Sequence, residues 1–179
     1  LIVLSLSDGT LLARQQLFTA SADNVVERML DIVANPVVVR GVVYLASTHG
    51  GIVAYDLQHA KVLWRSSLLS IQNMAHDGRS LFVVTPSSEV FALDLRTGKT
   101  RWHQEEMHDR RLSAPVMLGT TIVLSDGFGS AFWLSAKDGK MLAYQSPASS
   151  ALSAPPVVYG QSVYFYSLWG TLVKYTLHG

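Results

Sequence analysis

Phe91-Ala92-Leu93-Asp94-Leu95-Arg96-Thr97-Gly98-Lys99-Thr100-Arg101-Trp102 is the stretch from which the fold follows. An apolar run ends at Asp94, whose carboxylate can accept backbone N–H groups two residues on, and Gly98 supplies the positive φ of a tight hairpin. A second run then ends on Trp102. The same layout stands 38 residues earlier, in Val53-Ala54-Tyr55-Asp56-Leu57 followed by Lys61-Val62-Leu63-Trp64, with the Asp-to-Trp spacing kept. A third copy, Phe132-Trp133-Leu134-Ser135-Ala136-Lys137-Asp138-Gly139-Lys140, lies 41 residues after the one that begins at Phe91. The last, Leu172-Val173-Lys174-Tyr175-Thr176-Leu177, lies another 41 residues on, and a weakened copy opens the chain at Val3-Leu4-Ser5-Leu6-Ser7-Asp8-Gly9.

A second pattern precedes each copy. Pro36-Val37-Val38-Val39-Arg40-Gly41, Pro115-Val116-Met117-Leu118-Gly119 and Pro156-Val157-Val158-Tyr159-Gly160 each lead into another short apolar run, and His76-Asp77-Gly78 leads into Leu81-Phe82-Val83-Val84. Short β-branched and aromatic runs bounded by glycine turns read as strands. Four strands in a unit of ~40 residues are the signature of a propeller blade. The expectation is therefore an all-β β-propeller of four-stranded antiparallel blades. Residues 1–179 form one partial domain: 1–19 hold two strands of a first blade, 35–72, 73–112 and 113–153 are blades, and 154–179 an incomplete last one. Residues 20–34 break the rhythm as an inter-blade insertion, where repeat scaffolds place binding loops. Trp64 and Trp102 are read as structural wedges that end the outer strand of their blades and bury against the neighbouring one.

Length and composition agree with this picture. A chain of 179 residues is about one domain. Apolar residues make up 49% and charged residues 15%, which excludes intrinsic disorder. A net charge of +1 lacks the basic excess of a nucleic-acid binder. The absence of cysteine excludes a disulfide scaffold, a cysteine zinc site and a thiol nucleophile. From Met141 to Val173 there is no charged residue, yet Pro147, Pro155, Pro156, Gly160 and Gly170 make this run strands and turns, not a membrane helix. The start at Leu1-Ile2-Val3-Leu4, with no Met and no basic segment, reads as cut from something longer.

Candidate chemistry is sparse. The densest polar cluster, His103-Gln104-Glu105-Glu106-Met107-His108-Asp109, lacks the i, i+4 histidine spacing of a metalloprotease helix and reads as a solvated loop. Gly127-Phe128-Gly129-Ser130 lacks the third glycine of a dinucleotide fingerprint and reads as a hairpin turn. Arg110-Arg111 is the only adjacent basic pair. No catalytic residue, metal ligand or cofactor is assigned, and the expectation is a protein that is not an enzyme.

Ala92-Leu93-Asp94-Leu95-Arg96-Thr97-Gly98-Lys99-Thr100-Arg101-Trp102 resembles the quinoprotein-type (PQQ-like) propeller repeat, a motif specific for fold and not for function. Over nearly its whole length the chain resembles, more particularly, the C-terminal half of the BamB family of outer-membrane β-barrel assembly lipoproteins. Arg28-Met29-Leu30-Asp31 leading into Asn35-Pro36-Val37-Val38-Val39, the blade around Ala54-Tyr55-Asp56-Leu57, and Leu112-Ser113-Ala114-Pro115-Val116 carry this resemblance. It implies half of an eight-bladed, non-enzymatic scaffold at the periplasmic face of the bacterial outer membrane, docked on the periplasmic domains of the barrel-inserting protein BamA. It places a partner contact at Arg28 and Asp31, with Ile32 and Val33 as apolar contacts; Val33 stands where the family often has a second acidic residue. Membrane attachment would run through a lipid anchor outside this chain. An unfinished ring would also self-associate through its open faces. The rival readings are a fragment of a PQQ-dependent dehydrogenase, whose vicinal disulfide is impossible without cysteine, and a ligand-sensing propeller.

Overall fold

The computed structural model describes residues 1–18, 34–152 and 154–176, and the described residues contain strands and turns but no helix. A two-stranded sheet, β1 (Ile2–Leu4) and β2 (Leu11–Arg14), comes first. The first full blade comprises β3 (Val37–Val39), β4 (Val42–Ser47), β5 (Gly51–Asp56) and β6 (Lys61–Ser66). The second comprises β7 (Ala75–His76), β8 (Ser80–Val84), β9 (Val90–Asp94) and β10 (Thr100–Gln104). The third comprises β11 (Val116–Leu118), β12 (Thr121–Ser125), β13 (Ala131–Ser135) and β14 (Met141–Gln145). The last sheet has three strands, β15 (Val157–Tyr159), β16 (Ser162–Tyr166) and β17 (Leu172–Thr176). Within each sheet the strands pair antiparallel in chain order, the architecture of a partial β-propeller.

The second and third strands of a blade are apolar without alternation because both their faces are covered. On β4, Tyr44 and Ala46 face one way and Val43 and Leu45 the other, and all four are buried. Tyr44, Ala46, Ile52, Ala54 and Trp64 pack against Leu81, Val83 and Leu93 of the second blade. Phe82, Val84, Val90 and Ala92 meet Ile122, Leu124, Phe132 and Leu134 of the third. Val123, Ala131 and Trp133 meet Val163 and Phe165 of the last sheet. Each blade therefore donates one face forward and one backward. On the last sheet the forward face, with Val157, Tyr166 and Leu172, is exposed, as are Ile2, Leu4, Leu11 and Leu12 of β1 and β2.

One irregularity recurs. Where the third strand pairs with the fourth, the register skips one residue: Leu63 in the first blade, Arg101 in the second, Leu142 in the third. A bulge of this kind exchanges the two faces for every residue beyond it. Beyond the skip, Trp102 lies opposite Ala92 and His103 opposite Phe91. The tryptophan thereby joins the forward face and the histidine the backward one. The two tryptophans sit within their outer strands, just past this bulge, and not at the strand ends.

Candidate functional site

The repeat motif builds framework. Asp94 Oδ1 accepts the Arg96 N–H at 3.1 Å, the Thr97 N–H at 3.0 Å and the Thr97 hydroxyl at 3.0 Å. Burial pushes the Asp94 carboxyl up, but the Thr97 hydroxyl and N–H, the Arg96 N–H and the Arg101 charge outweigh it and hold it below the usual carboxylate range. Asp56 repeats the turn, accepting from the Gln58 and His59 N–H groups at 2.9 and 3.0 Å, and these bonds with the His59 ring hold it low as well. These shifts describe turns, not catalysts.

The tryptophans reach across blades. Trp64 donates its indole N–H to the Leu95 carbonyl of the next blade at 2.9 Å, and Trp102 does the same to the Ala136 carbonyl at 3.0 Å. Each ring lies on the glycine of that next turn: a Cβ on Gly98 would stand 2.6 Å from the Trp64 ring, and one on Gly139 2.6 Å from the Trp102 ring. Both glycines also hold positive φ, +70° and +76°. The sequence motif shows the positive φ; the second demand on the same glycine comes from 34 residues away for Gly98 and 37 for Gly139, and is set by the neighbouring blade. Trp64 with Gly98, and Trp102 with Gly139, are thus brought together as blade-to-blade couplings, while Asp56 and Asp94 each hold their own turn.

The hairpins between second and third strands share one side of the sheets with the connectors that lead from one blade to the next, as an antiparallel order of four strands requires. Leu112 N–H donates to Ser88 Oγ at 3.1 Å and Gln72 Nε2 to the Leu112 carbonyl at 3.4 Å, tying connectors to the neighbouring hairpin and to each other. The insertion leaves β2 and enters β3 on this side. Its stems are held firmly. Leu17 and Phe18 are buried against Val43, Leu45, Val53 and Tyr55, and Arg65 Nη1 donates to the Leu17 carbonyl at 2.6 Å. At the other stem Ala34 is buried in the core between the first and second blades, and Asn35 N–H donates to Asn73 Oδ1 at 2.7 Å. Arg28, Asp31, Ile32 and Val33, the residues singled out as partner contacts, lie outside the described residues.

The same side carries apolar side chains that periodicity alone did not single out. Phe128 is 61% exposed, Leu168 67% and Trp169 75%, all on hairpins, and Leu69 and Ile71 protrude from the first connector. A Leu-Trp-Gly turn in an uncharged run was the available signal. Beneath Phe128 an ion pair with a half-buried guanidinium sets the third hairpin: fully buried Asp126 accepts Arg110 Nε at 2.7 Å and the N–H groups of Ser130 and Phe128 at 2.7 and 2.9 Å. The Arg110 guanidinium also lies over Phe132 and Phe128, 5.2 and 5.8 Å from their ring centres. The arrangement makes a stiff rim with apolar projections, suited to contact with another protein.

Among the described residues the histidine–carboxylate pairs are scattered over different blades and do not converge in one cleft. The His59–Asp56 pair, at 2.8 Å, and the His108–Asp109 pair, at 3.1 Å, lie in turns of different blades. An apolar cleft of about 270 Å³ separates the third blade from the last sheet, lined by Leu118, Trp133, Leu142, Ala143, Val163 and Tyr175 among others, and its lining contains no charged group.

Comparison with known proteins gives a consistent result. A protein family described as outer membrane protein assembly factor BamB matches residues 1–104. The outer membrane protein assembly factor BamB of Yersinia pestis is 30% identical over 171 residues, 96% of this chain and 44% of that protein. Among solved structures, BamB from Moraxella catarrhalis superposes with a TM-score of 0.84 at 22% identity, over 94% of this chain and 50% of that one. A quinohemoprotein alcohol dehydrogenase from Comamonas testosteroni has a TM-score of 0.54 at 20% identity, over 65% of this chain and 21% of that one, a likeness of fold alone. The chain spans about half the length of the curated relatives it matches.

Proposed function

The chain belongs to the BamB family of outer membrane protein assembly factors, and from that premise we propose that it is part of a non-catalytic scaffold at the periplasmic face of the outer membrane. Its partner in this reading is the set of periplasmic domains of BamA. The observation that carries the proposal is the family match over residues 1–104, a range that contains the insertion with Arg28, Asp31, Ile32 and Val33. The geometry supports it in two ways. Leu17 and Phe18 on one side and Ala34 on the other are anchored in packed cores, so both flanks of residues 19–33 are fixed to the sheets. The hairpins on the same side add Phe128, Leu168 and Trp169, residue types that serve as interface anchors.

The test is equilibrium binding of the full-length protein to the isolated periplasmic domains of BamA, wild type against Asp31→Ala. Saturable wild-type binding is expected, weakened by about tenfold or more in the variant, the equivalent of ~1.4 kcal/mol. No wild-type binding removes the scaffold reading. Equal binding by the two proteins removes Asp31 from the contact.

A further inference from the structure

We propose that Glu89, His103 and Glu105 form a binding site for a divalent transition-metal ion of the zinc class on the edge of the second blade. The run His103–Asp109 does not hold the whole donor set, because the remaining donor, Glu89, stands just before β9. In the β9–β10 ladder Val90 lies opposite Gln104 and Phe91 opposite His103. Continued one residue, the register sets Glu89 opposite Glu105. Side chains two apart on a strand share a face, so Glu89 and Phe91 lie on the same side as His103 and Glu105. One donor atom from each of Glu89, His103 and Glu105 lies within 4.8 Å of the other two.

Three features point to an ion and not to a hydrogen-bonded cluster. His103 Nε2 stands 3.8 Å from Glu89 Oε1, beyond hydrogen-bond length. Two donors sharing a tetrahedral zinc at about 2.0–2.1 Å each are ~3.4 Å apart, so closure needs only small side-chain movements. The imidazole is held in place before any ion arrives: its ring stacks on Phe91 with centroids 4.1 Å apart and planes 14° from parallel. The two carboxylates, brought close together just beyond the ladder, carry like charge, which is unfavourable. Among the described residues neither forms an ion pair with a lysine or arginine. A cation converts that repulsion into attraction. The mixed nitrogen and oxygen donor set selects zinc, or cobalt and copper in its place, over magnesium and calcium, which prefer all-oxygen shells. Three protein donors leave the fourth position to water.

The experiment is calorimetric titration of the chelator-treated protein with zinc chloride, with cobalt absorption as a second readout of coordination. Wild type is expected to bind one equivalent of zinc and to give no heat with magnesium. Removal of a direct ligand should cost at least the ~10–100-fold known for outer-shell partners, so His103→Ala and Glu105→Gln should each lose that much affinity or bind nothing. Glu105 is exposed, so its variant is expected to keep the fold. His108→Ala, whose ring pairs with Asp109 instead, should bind as wild type does. Absence of zinc uptake by the wild type overturns the site, and so does unchanged uptake in both His103→Ala and Glu105→Gln.

Discussion

Replacing Gly98 by alanine tests the blade coupling most directly, because two separable penalties meet there. The φ of +70° costs an L-residue about 1–2 kcal/mol. The added Cβ also meets the Trp64 ring at 2.6 Å, and that ring is 8% exposed and bonded to Leu95, so it has little room to retreat. Overpacking of this kind costs about 1–3 kcal/mol. Gly98→Ala should therefore destabilise by about 2–5 kcal/mol in total. Gly119→Ala supplies the comparison: its φ is +62° and no atom lies within 4 Å of the new Cβ, so only the first penalty, about 1–2 kcal/mol, applies. In a Trp64→Ala background the steric part disappears, and Gly98→Ala should cost about 1–2 kcal/mol, a coupling of ~1–3 kcal/mol. Trp64→Ala alone costs about 3–5 kcal/mol for the lost packing. It does not orphan the Leu95 carbonyl, which still accepts the Tyr44 hydroxyl at 3.0 Å. The assay is urea unfolding followed by far-UV circular dichroism and fluorescence, and the equivalent cycle at Trp102 and Gly139 provides a second reading. If Gly98→Ala costs no more than Gly119→Ala and adds independently to Trp64→Ala, the wedge reasoning is wrong.

Two further substitutions probe the turns. The Asp94 carboxyl is held below the ordinary aspartate value of about 3.9 in the folded protein, so its contribution is fully present above that pH and is lost as pH falls through the lower folded value. Asp94→Asn should consequently lower the urea midpoint at neutral pH and converge with wild type in acid; a gap that stays constant across this range would refute the assignment. Asp126→Ala leaves the N–H groups of Phe128 and Ser130 without their buried acceptor, while the one-third-exposed Arg110 can turn to solvent, and should destabilise by about 1–3 kcal/mol in the same urea assay, against a null result of under ~0.5 kcal/mol.

Whether a feature could be read from the sequence depended on whether its cause lies within one blade. Apolar runs such as Leu81-Phe82-Val83-Val84 announce strands because covering both faces forces every residue to be apolar, and the glycine turns mark their ends. The Asp94 turn is equally legible, since its donors lie within three residues. The pairing of Trp64 with Gly98 is not, because a spacing inside one repeat does not say which turn of the next blade it will touch. The Glu89–His103–Glu105 cluster is hidden for a subtler reason. Without the skip at Arg101, His103 would lie opposite Val90 and face the other way. A single unpaired residue, unmarked by glycine or proline, decides which donors meet.

The repeats themselves bear on the wedge. Ala60 stands in its turn where Gly98 and Gly139 stand in theirs, and it holds a φ of +51° although it is not glycine. Positive φ alone therefore does not demand glycine in this turn. The difference lies in what the preceding sheet sends across. Ahead of Gly98 and Gly139 the outer strand carries Trp64 and Trp102, each just past the bulge. Ahead of Ala60, neither β1 nor β2 contains a tryptophan. The third blade shows the complementary exchange. There the outer position is Ala143, and the tryptophan has moved to the facing inner position, Trp133, where it packs edge-on against Tyr175 and Phe165 with ring centres 5.3 and 5.7 Å away. The pair keeps one large and one small member, in keeping with the tolerance of cores for swaps that conserve volume. The exchange draws the indole inward, leaves β14 exposed along its whole length and opens the apolar cleft beside Ala143. Drift of the motif from blade to blade thus follows one steric rule: glycine is required in a turn when the sheet before it projects a tryptophan onto it.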